Sequence, residues 1–183
     1  SIINSVGAVN HYNIDFGSEL STPNSYLGEA NQGGLWNQVS SASGIIYNTN
    51  GGGSISYSLT ADNLQGNYGS STIHADLNQD NFFSNSGVGW NFTLSGIANG
   101  SYTIYVYAPV HTSVSTGSFS INSIVYNSIP GSLNSSLQNG TDFIVVSNLS
   151  VTNGTLIFQS TDLYGYRGLA GLQIVSNPVN YVW

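Results

Sequence analysis

Residues able to carry chemistry are sparse in this 183-residue chain. His11, His74 and His111 stand far apart, Cys is absent, and neither a Gly-x-Ser-x-Gly elbow nor a His-Glu-x-x-His pair occurs. Nucleophilic and zinc-hydrolase chemistry therefore lack their parts. Glu19 and Glu29 are the only glutamates, and either could join an aspartate as the carboxylate pair of glycoside hydrolysis. Their plainer reading is as solvated loop acids. Asp76-Leu77-Asn78-Gln79-Asp80 opens like a calcium loop, with oxygen ligands on alternate residues. However, Asn81 stands where the turn glycine belongs and Gly87 where the bidentate glutamate belongs. The sequence thus predicts no catalytic residue, no metal site and no cofactor.

Two further sets of residues carry recognition chemistry. N-glycosylation sequons fall at Asn91, Asn99, Asn134, Asn139, Asn148 and Asn153. Asn99 and Asn153 are each followed by Gly and lie in expected turns, where a glycan is easily accommodated. Trp36, Tyr68, Trp90, Tyr164 and Tyr166 are either platforms for a sugar ring or core packing, and core packing is the expectation.

The composition narrows the class of partner. Only 5% of residues are charged, while aromatic residues make up 12%, so the chain expects a packed core under a polar, uncharged surface. With one Arg, no Lys and a net charge of −7, it lacks the cations that nucleic acid or anionic lipid would require. No apolar run approaches the roughly 20 residues that span a bilayer. Without Cys no disulfide forms, and without Lys no Lys–Asn crosslink forms. A chain starting at Ser1 with this composition reads as the mature form of a secreted, extracellular protein.

The elements that would position these residues read as strands. Short alternating runs bounded by Gly, Asn, Ser and Pro recur, which predicts an all-β fold, a single two-sheet β-sandwich of jelly-roll or immunoglobulin-like type. The spacing predicts one hairpin from Trp90–Leu94 through Asn99-Gly100 to Ser101–Tyr107. A second runs from Phe143–Val151 through Asn153-Gly154 to Thr155–Phe158. Further strands are expected at Ser54–Leu59, Ser118–Tyr126 and Leu169–Val175. Residues 61–88 read as a long surface excursion. Residues 21–43 also read as loop, with Leu35 and Trp36 packing down.

The N-terminal segment forms its own extended strand, residues 1–14, ahead of a sandwich over residues 15–183. Its even positions run Ile2, Asn4, Val6, Ala8, Asn10, Tyr12, Ile14 and Phe16, a largely apolar face. Such a strand either pairs within its own domain or completes the sheet of a neighbouring copy, which yields head-to-tail polymers. Edge strands in soluble monomers are commonly guarded by charge, and this chain has little to place there. With this alternating strand, a single following sandwich and dense Asn, Ser, Thr and Gly, the chain resembles donor-strand-complemented pilins, most of all those of archaeal thread filaments. That resemblance implies that Ile2, Val6, Ala8, Tyr12 and Ile14 insert into the next subunit. The partners it implies are copies of the same chain, with N-linked glycans. The lack of Cys departs from bacterial pilins, which typically carry a disulfide.

A second likeness is carried by Asn13-Ile14-Asp15-Phe16-Gly17, Phe92–Gly96, Ser101–Ala108 and Gly168–Ile174. These runs resemble galactose-binding-like jelly rolls of exported proteins. That likeness would make Ile14–Phe16 part of the chain's own sheet, end any donated segment near Tyr12, and imply a carbohydrate-binding or adhesive role.

Overall fold

A computed structural model describes residues 10–17, 22–23, 26–61, 63–67, 77, 80–84, 89–107, 118–127, 137, 139–140, 143–160 and 167–178. They form β1 (Tyr12–Phe16), β2 (Trp36–Val39), β3 (Ser43–Tyr47), β4 (Ser54–Thr60), β5 (Asn63–Asn67), β6 (Asp80–Ser84) and β7 (Trp90–Ser95). The second half holds β8 (Gly100–Tyr107), β9 (Ser118–Ile121), β10 (Ile124–Asn127), β11 (Phe143–Val151), β12 (Thr155–Ser160), β13 (Arg167–Leu169) and β14 (Gly171–Ser176). The front sheet runs β11-β8-β14-β1-β2 and the back sheet β10-β9-β12-β7-β4-β3, with a small sheet β13-β6-β5 beside them. The chain is an all-β, two-sheet sandwich.

Alternation builds the core. Ile55, Tyr57 and Leu59 of β4 face inward while Ser54, Ser56, Ser58 and Thr60 stay exposed, and Phe92, Leu94, Leu156 and Phe158 repeat the pattern on β7 and β12. Phe16 meets Phe82 and Phe92 edge-on, each at 4.9 Å between centroids, so one ring ties β1 to the small sheet and the back sheet.

The two expected hairpins are not hairpins. β7 pairs with β4 and β12 in the back sheet, whereas β8 pairs with β11 and β14 in the front sheet. The connections 96–99 and 152–154 are therefore arches from sheet to sheet, stacked on each other. The Gly96 and Ile97 N–H groups donate to Gly154 O at 2.9 and 3.2 Å, and the Gly154 N–H donates to Asn99 Oδ1 at 2.9 Å. Hairpin and arch both send alternate residues into one core, so periodicity cannot separate them. A two-residue I′ hairpin needs two successive positive φ angles, and each arch has a single one, at Gly96 (89°) and Gly154 (71°).

The I′ turn sits elsewhere. The strand expected over Ser118–Tyr126 folds back at Asn122 and Ser123, with φ of 48° and 69°, into the β9–β10 hairpin. The excursion expected over 61–88 contains β5 and β6 and buries Leu77 and Phe82. The loop expected over 21–43 contains β2 and the start of β3; Trp36 packs down, but Leu35 is 45% exposed. The expected strand Leu169–Val175 changes sheets at Ala170, where β13 gives way to β14.

Candidate assembly surface

Of the five side chains expected to insert into a neighbour, Ile2, Val6 and Ala8 lie outside the described residues. Tyr12 and Ile14 are core residues of the chain's own front sheet, 3% and 0% exposed. β1 pairs antiparallel with β14, Tyr12 opposite Ile174, and parallel with β2, Asn13 opposite Trp36. A boundary after residue 14 would cut this strand. The donor reading therefore applies to residues that precede β1, as the jelly-roll likeness requires.

The direction in which the chain enters β1 follows from register. Tyr12 lies beside Ile174 near the end of β14, and Asn177 N–H donates to Ser101 O at 2.8 Å at the start of β8. The chain enters β1 at the end of the sandwich that carries the two stacked arches. The exposed sequon residues Asn99 and Asn153 lie in those arches.

Sheet edges are where another strand would add. On one side of the sandwich the last strands of the two sheets, β2 and β3, are stitched together. Asn37 Nδ2 donates to Tyr47 O at 2.8 Å, Asn37 Oδ1 accepts the Tyr47 N–H at 2.8 Å, and Leu35 N–H donates to Thr49 O at 2.9 Å. On the other side, β11 is broken by a bulge between Val146 and Leu149, where Asn148 takes φ 58°. β10 has neither device. It pairs with β9 in unbroken register, carries no charge and no Pro, and exposes Ile124 by 53% and Val125 by 66%. The two-residue turn makes Ile121 and Ile124 a hydrogen-bonded pair, so the Val125 N–H and C=O point away from β9.

A second cluster of polar side chains holds a loop over the outer face of the front sheet. Gln173, 0% exposed, accepts from the Tyr107 hydroxyl at 2.7 Å and the Ala30 N–H at 3.1 Å; its Nε2 donates to Asn13 Oδ1 at 3.0 Å and Leu27 O at 2.9 Å. Gln32 Nε2 also donates to Asn13 Oδ1, at 2.7 Å. A Cβ on Gly28, φ 63°, would overlap the Gln173 amide, which fixes this residue as Gly. Burial pushes the Tyr107 and Tyr26 hydroxyls well above their usual range, with the Glu29 charge adding to the shift in both. Gln32 Oε1 is buried without a hydrogen-bond partner, but the other amide and hydroxyl groups described here bond to one another or to the loop main chain, and their arrangement is that of a clasp. The signal for it was available in the polar Asn13 and Gln173 within strands β1 and β14, both fully buried.

Glu29 accepts a hydrogen bond from the Tyr26 hydroxyl at 3.0 Å, and Glu19 lies outside the described residues. No group of three or more His, Asp or Glu residues gathers among the described residues. His74, His111 and Asp76 lie outside them, and burial lowers the pKa of His11. Trp36 and Trp90 are buried at 5% and 4%, so both pack as expected, while Tyr68, Tyr164 and Tyr166 are outside the described residues. Among the sequons, Asn139 and Asn148 are exposed as well as Asn99 and Asn153, Asn91 is half-buried within β7, and Asn134 lies outside the described residues. No helix among the described residues is long and apolar enough to cross a bilayer. No protein-family model, curated protein or solved structure matches this chain.

Proposed function

We propose that the chain is a structural subunit of an extracellular filament, without catalytic activity, in which residues 1–9 of one copy add to the β10 edge of the next; His11 stays with its own sandwich, its carbonyl accepting the Thr49 N–H at 2.9 Å. The single observation that carries this reading is that, among the described residues, nothing guards the β10 edge. Charge, Pro and bulge are the usual protections, and β10 has none of them while exposing Ile124 and Val125. The segment ahead of β1 supplies the complement. Ile2, Val6 and Ala8 alternate with Ile3, Ser5 and Gly7, so the segment presents an apolar face and a mixed one. Residues 1–9 extended would reach about 30 Å, longer than the four-residue β10.

Head-to-tail addition of this kind is heterologous and need not close into a ring. Main-chain pairing supplies affinity, and burial of alternate side chains supplies register. N-linked glycans would attach at the exposed Asn99, Asn139, Asn148 and Asn153. The Oδ1 atoms of Asn99 and Asn153 already accept backbone N–H groups, which leaves Nδ2 as the atom to be substituted.

The chain has no Cys, so an engineered pair reports cleanly. Single-cysteine variants at Ile2, Ile3, Val6 and Ala8 are each combined with Val125→Cys and oxidised mildly. Donation predicts a ladder of disulfide-linked multimers on non-reducing gels for at least one pair, and its absence for every pair in assembled material would overturn β10 as the acceptor.

A further inference from the structure

Four Asn-Gly pairs occur in the chain: Asn50-Gly51, Asn99-Gly100, Asn139-Gly140 and Asn153-Gly154. In such a pair the main-chain nitrogen after Asn can close a five-membered ring on the side-chain amide carbon, because Gly has no Cβ to obstruct it. What holds the two groups decides whether they react. Asn99 Oδ1 accepts the Gly154 N–H at 2.9 Å, and Gly100 is fixed in β8 opposite Val151. The same bond ties up the nitrogen that would attack Asn153, and Gly154 O accepts from both Gly96 and Ile97. At the third pair the Gly140 N–H donates to Phe143 O at 2.8 Å.

Asn50 is placed differently. It lies in the exposed loop between β3 and β4, followed by Gly51, Gly52 and Gly53, and a Cβ on Gly51 would meet no atom within 4 Å. Its Oδ1 accepts the Gly52 N–H at 2.8 Å, so a donor already faces the oxygen on which charge would develop. The Gly51 N–H donates to Asn48 O at 2.9 Å, a single turn bond at an exposed glycine that water replaces at small cost. Asn99, Asn139 and Asn153 each open a sequon, whereas Asn50-Gly51-Gly52 does not, so a glycan can shield the other three amides and never this one.

We infer that Asn50 is a site of spontaneous covalent modification, deamidation with isomerisation to isoaspartate. Hydroxide takes the Gly51 N–H proton, and the nitrogen attacks Asn50 Cγ. The N–Cγ bond forms while the Gly52 N–H holds the negative charge on Oδ1. The Cγ–Nδ2 bond then breaks, and ammonia leaves with a proton from water. A second water opens the succinimide at either carbonyl, giving aspartate or, with an extra methylene in the main chain, isoaspartate. Either product adds one negative charge to a net charge of −7. The change falls beside Thr49, whose N–H donates to His11 O and whose carbonyl accepts the Leu35 N–H, both at 2.9 Å, where the chain enters β1.

The unglycosylated full chain, held at mildly alkaline pH and sampled over time, tests this by isoelectric focusing and peptide mapping that separates isoaspartate from aspartate. A more acidic band should grow, up to about tenfold faster per pH unit because the attacking nitrogen must lose its proton. The map should place the first isoaspartate at residue 50, roughly threefold ahead of Asn139 and about tenfold or more ahead of Asn99 and Asn153, which the arches hold. In urea the four sites should draw within about threefold of one another, since the fold is what separates them. Asn50→Gln has to close a six-membered ring and should slow the first acidic band about tenfold or more. Should that variant fail to fold by circular dichroism, the order of sites in the wild type decides. No acidic band, isoaspartate arising first at another Asn-Gly pair, or an equal lead for Asn50 in urea would overturn the inference.

Discussion

Asn37 occupies both main-chain groups of Tyr47, donating to its carbonyl at 2.8 Å and accepting from its N–H at 2.8 Å. One amide side chain thus performs the pairing that another strand would otherwise provide, and it closes the β3 edge without any charge. The same Nδ2 also donates to Asn13 O at 3.0 Å, so β1, β2 and β3 meet at this residue. The contrast with β10 makes β10 the acceptor in the proposed filament.

Asn37→Ala removes three hydrogen bonds and takes these partners from the buried Asn13 O and from the part-buried N–H and C=O of Tyr47. The expected cost is about 2–4 kcal/mol, seen as a Tm lower by roughly 5–15 °C. The variant should also self-associate more readily than the wild type in light scattering at equal concentration, because the β3 edge is released.

Gln173→Leu should cost about 3 kcal/mol or more in urea unfolding, since it strands the Tyr107 hydroxyl proton and the Ala30 N–H at once and takes one of two donors from Leu27 O. Gly28→Ala acts on the same clasp from the loop side, through both the positive φ and the Gln173 amide, and should be destabilising as well. A destabilisation below about 0.5 kcal/mol for Gln173→Leu would mean that the loop does not depend on this amide.

Stability should fall at alkaline pH. Burial raises the folded-state pKa of Tyr107 above the ordinary value of 10.0, so the folded chain keeps a proton that the unfolded chain loses. Its stabilising contribution is complete below pH 10 and is lost as pH rises through the folded value, at up to about 1.4 kcal/mol per pH unit. Tyr26 shifts in the same direction, burial again being the largest cause. Urea midpoints at pH 8, 10 and 11.5 should therefore decrease above pH 10, and Tyr107→Phe should flatten that decrease. An unchanged midpoint across this range would contradict the clasp as described.

Glycopeptide mass spectrometry of protein taken from its native source should find the exposed Asn99, Asn148 and Asn153 occupied ahead of Asn91. Asn91 is half-buried between β4 and β12, with Oδ1 held by Thr93 of its own sequon. Higher occupancy at Asn91 than at the arch sites would run against the surface geometry.

Much of the fold is legible in the chain because alternation reports which side of a strand is buried. Ser54–Leu59 shows this, as do the strand segments around Phe92 and Phe158. Alternation is silent on which sheet a strand joins, and so Trp90–Tyr107 and Phe143–Phe158 looked like hairpins when they are arches. Asn153-Gly154 marks a chain reversal in either case. β5, Asn63-Leu64-Gln65-Gly66-Asn67, is nearly all polar and is a strand because β6 supplies main-chain partners, a contact that composition does not report. Asn37 and Tyr47 are ten residues apart in an uncharged stretch, and nothing local marks them as bonded. Residues 1–9 keep the pattern that motivates donation, while Tyr12 and Ile14 share that pattern and serve the chain's own core.

The most direct measurement of the assembly account compares the full chain with a variant lacking residues 1–9, which retains all of β1. Sedimentation and negative-stain microscopy would follow both at the same concentration. The account predicts filaments from the full chain and folded monomers from the variant, with urea midpoints alike because β1 and the core are untouched. Filaments from the variant, or a full chain that remains monomeric, would contradict it.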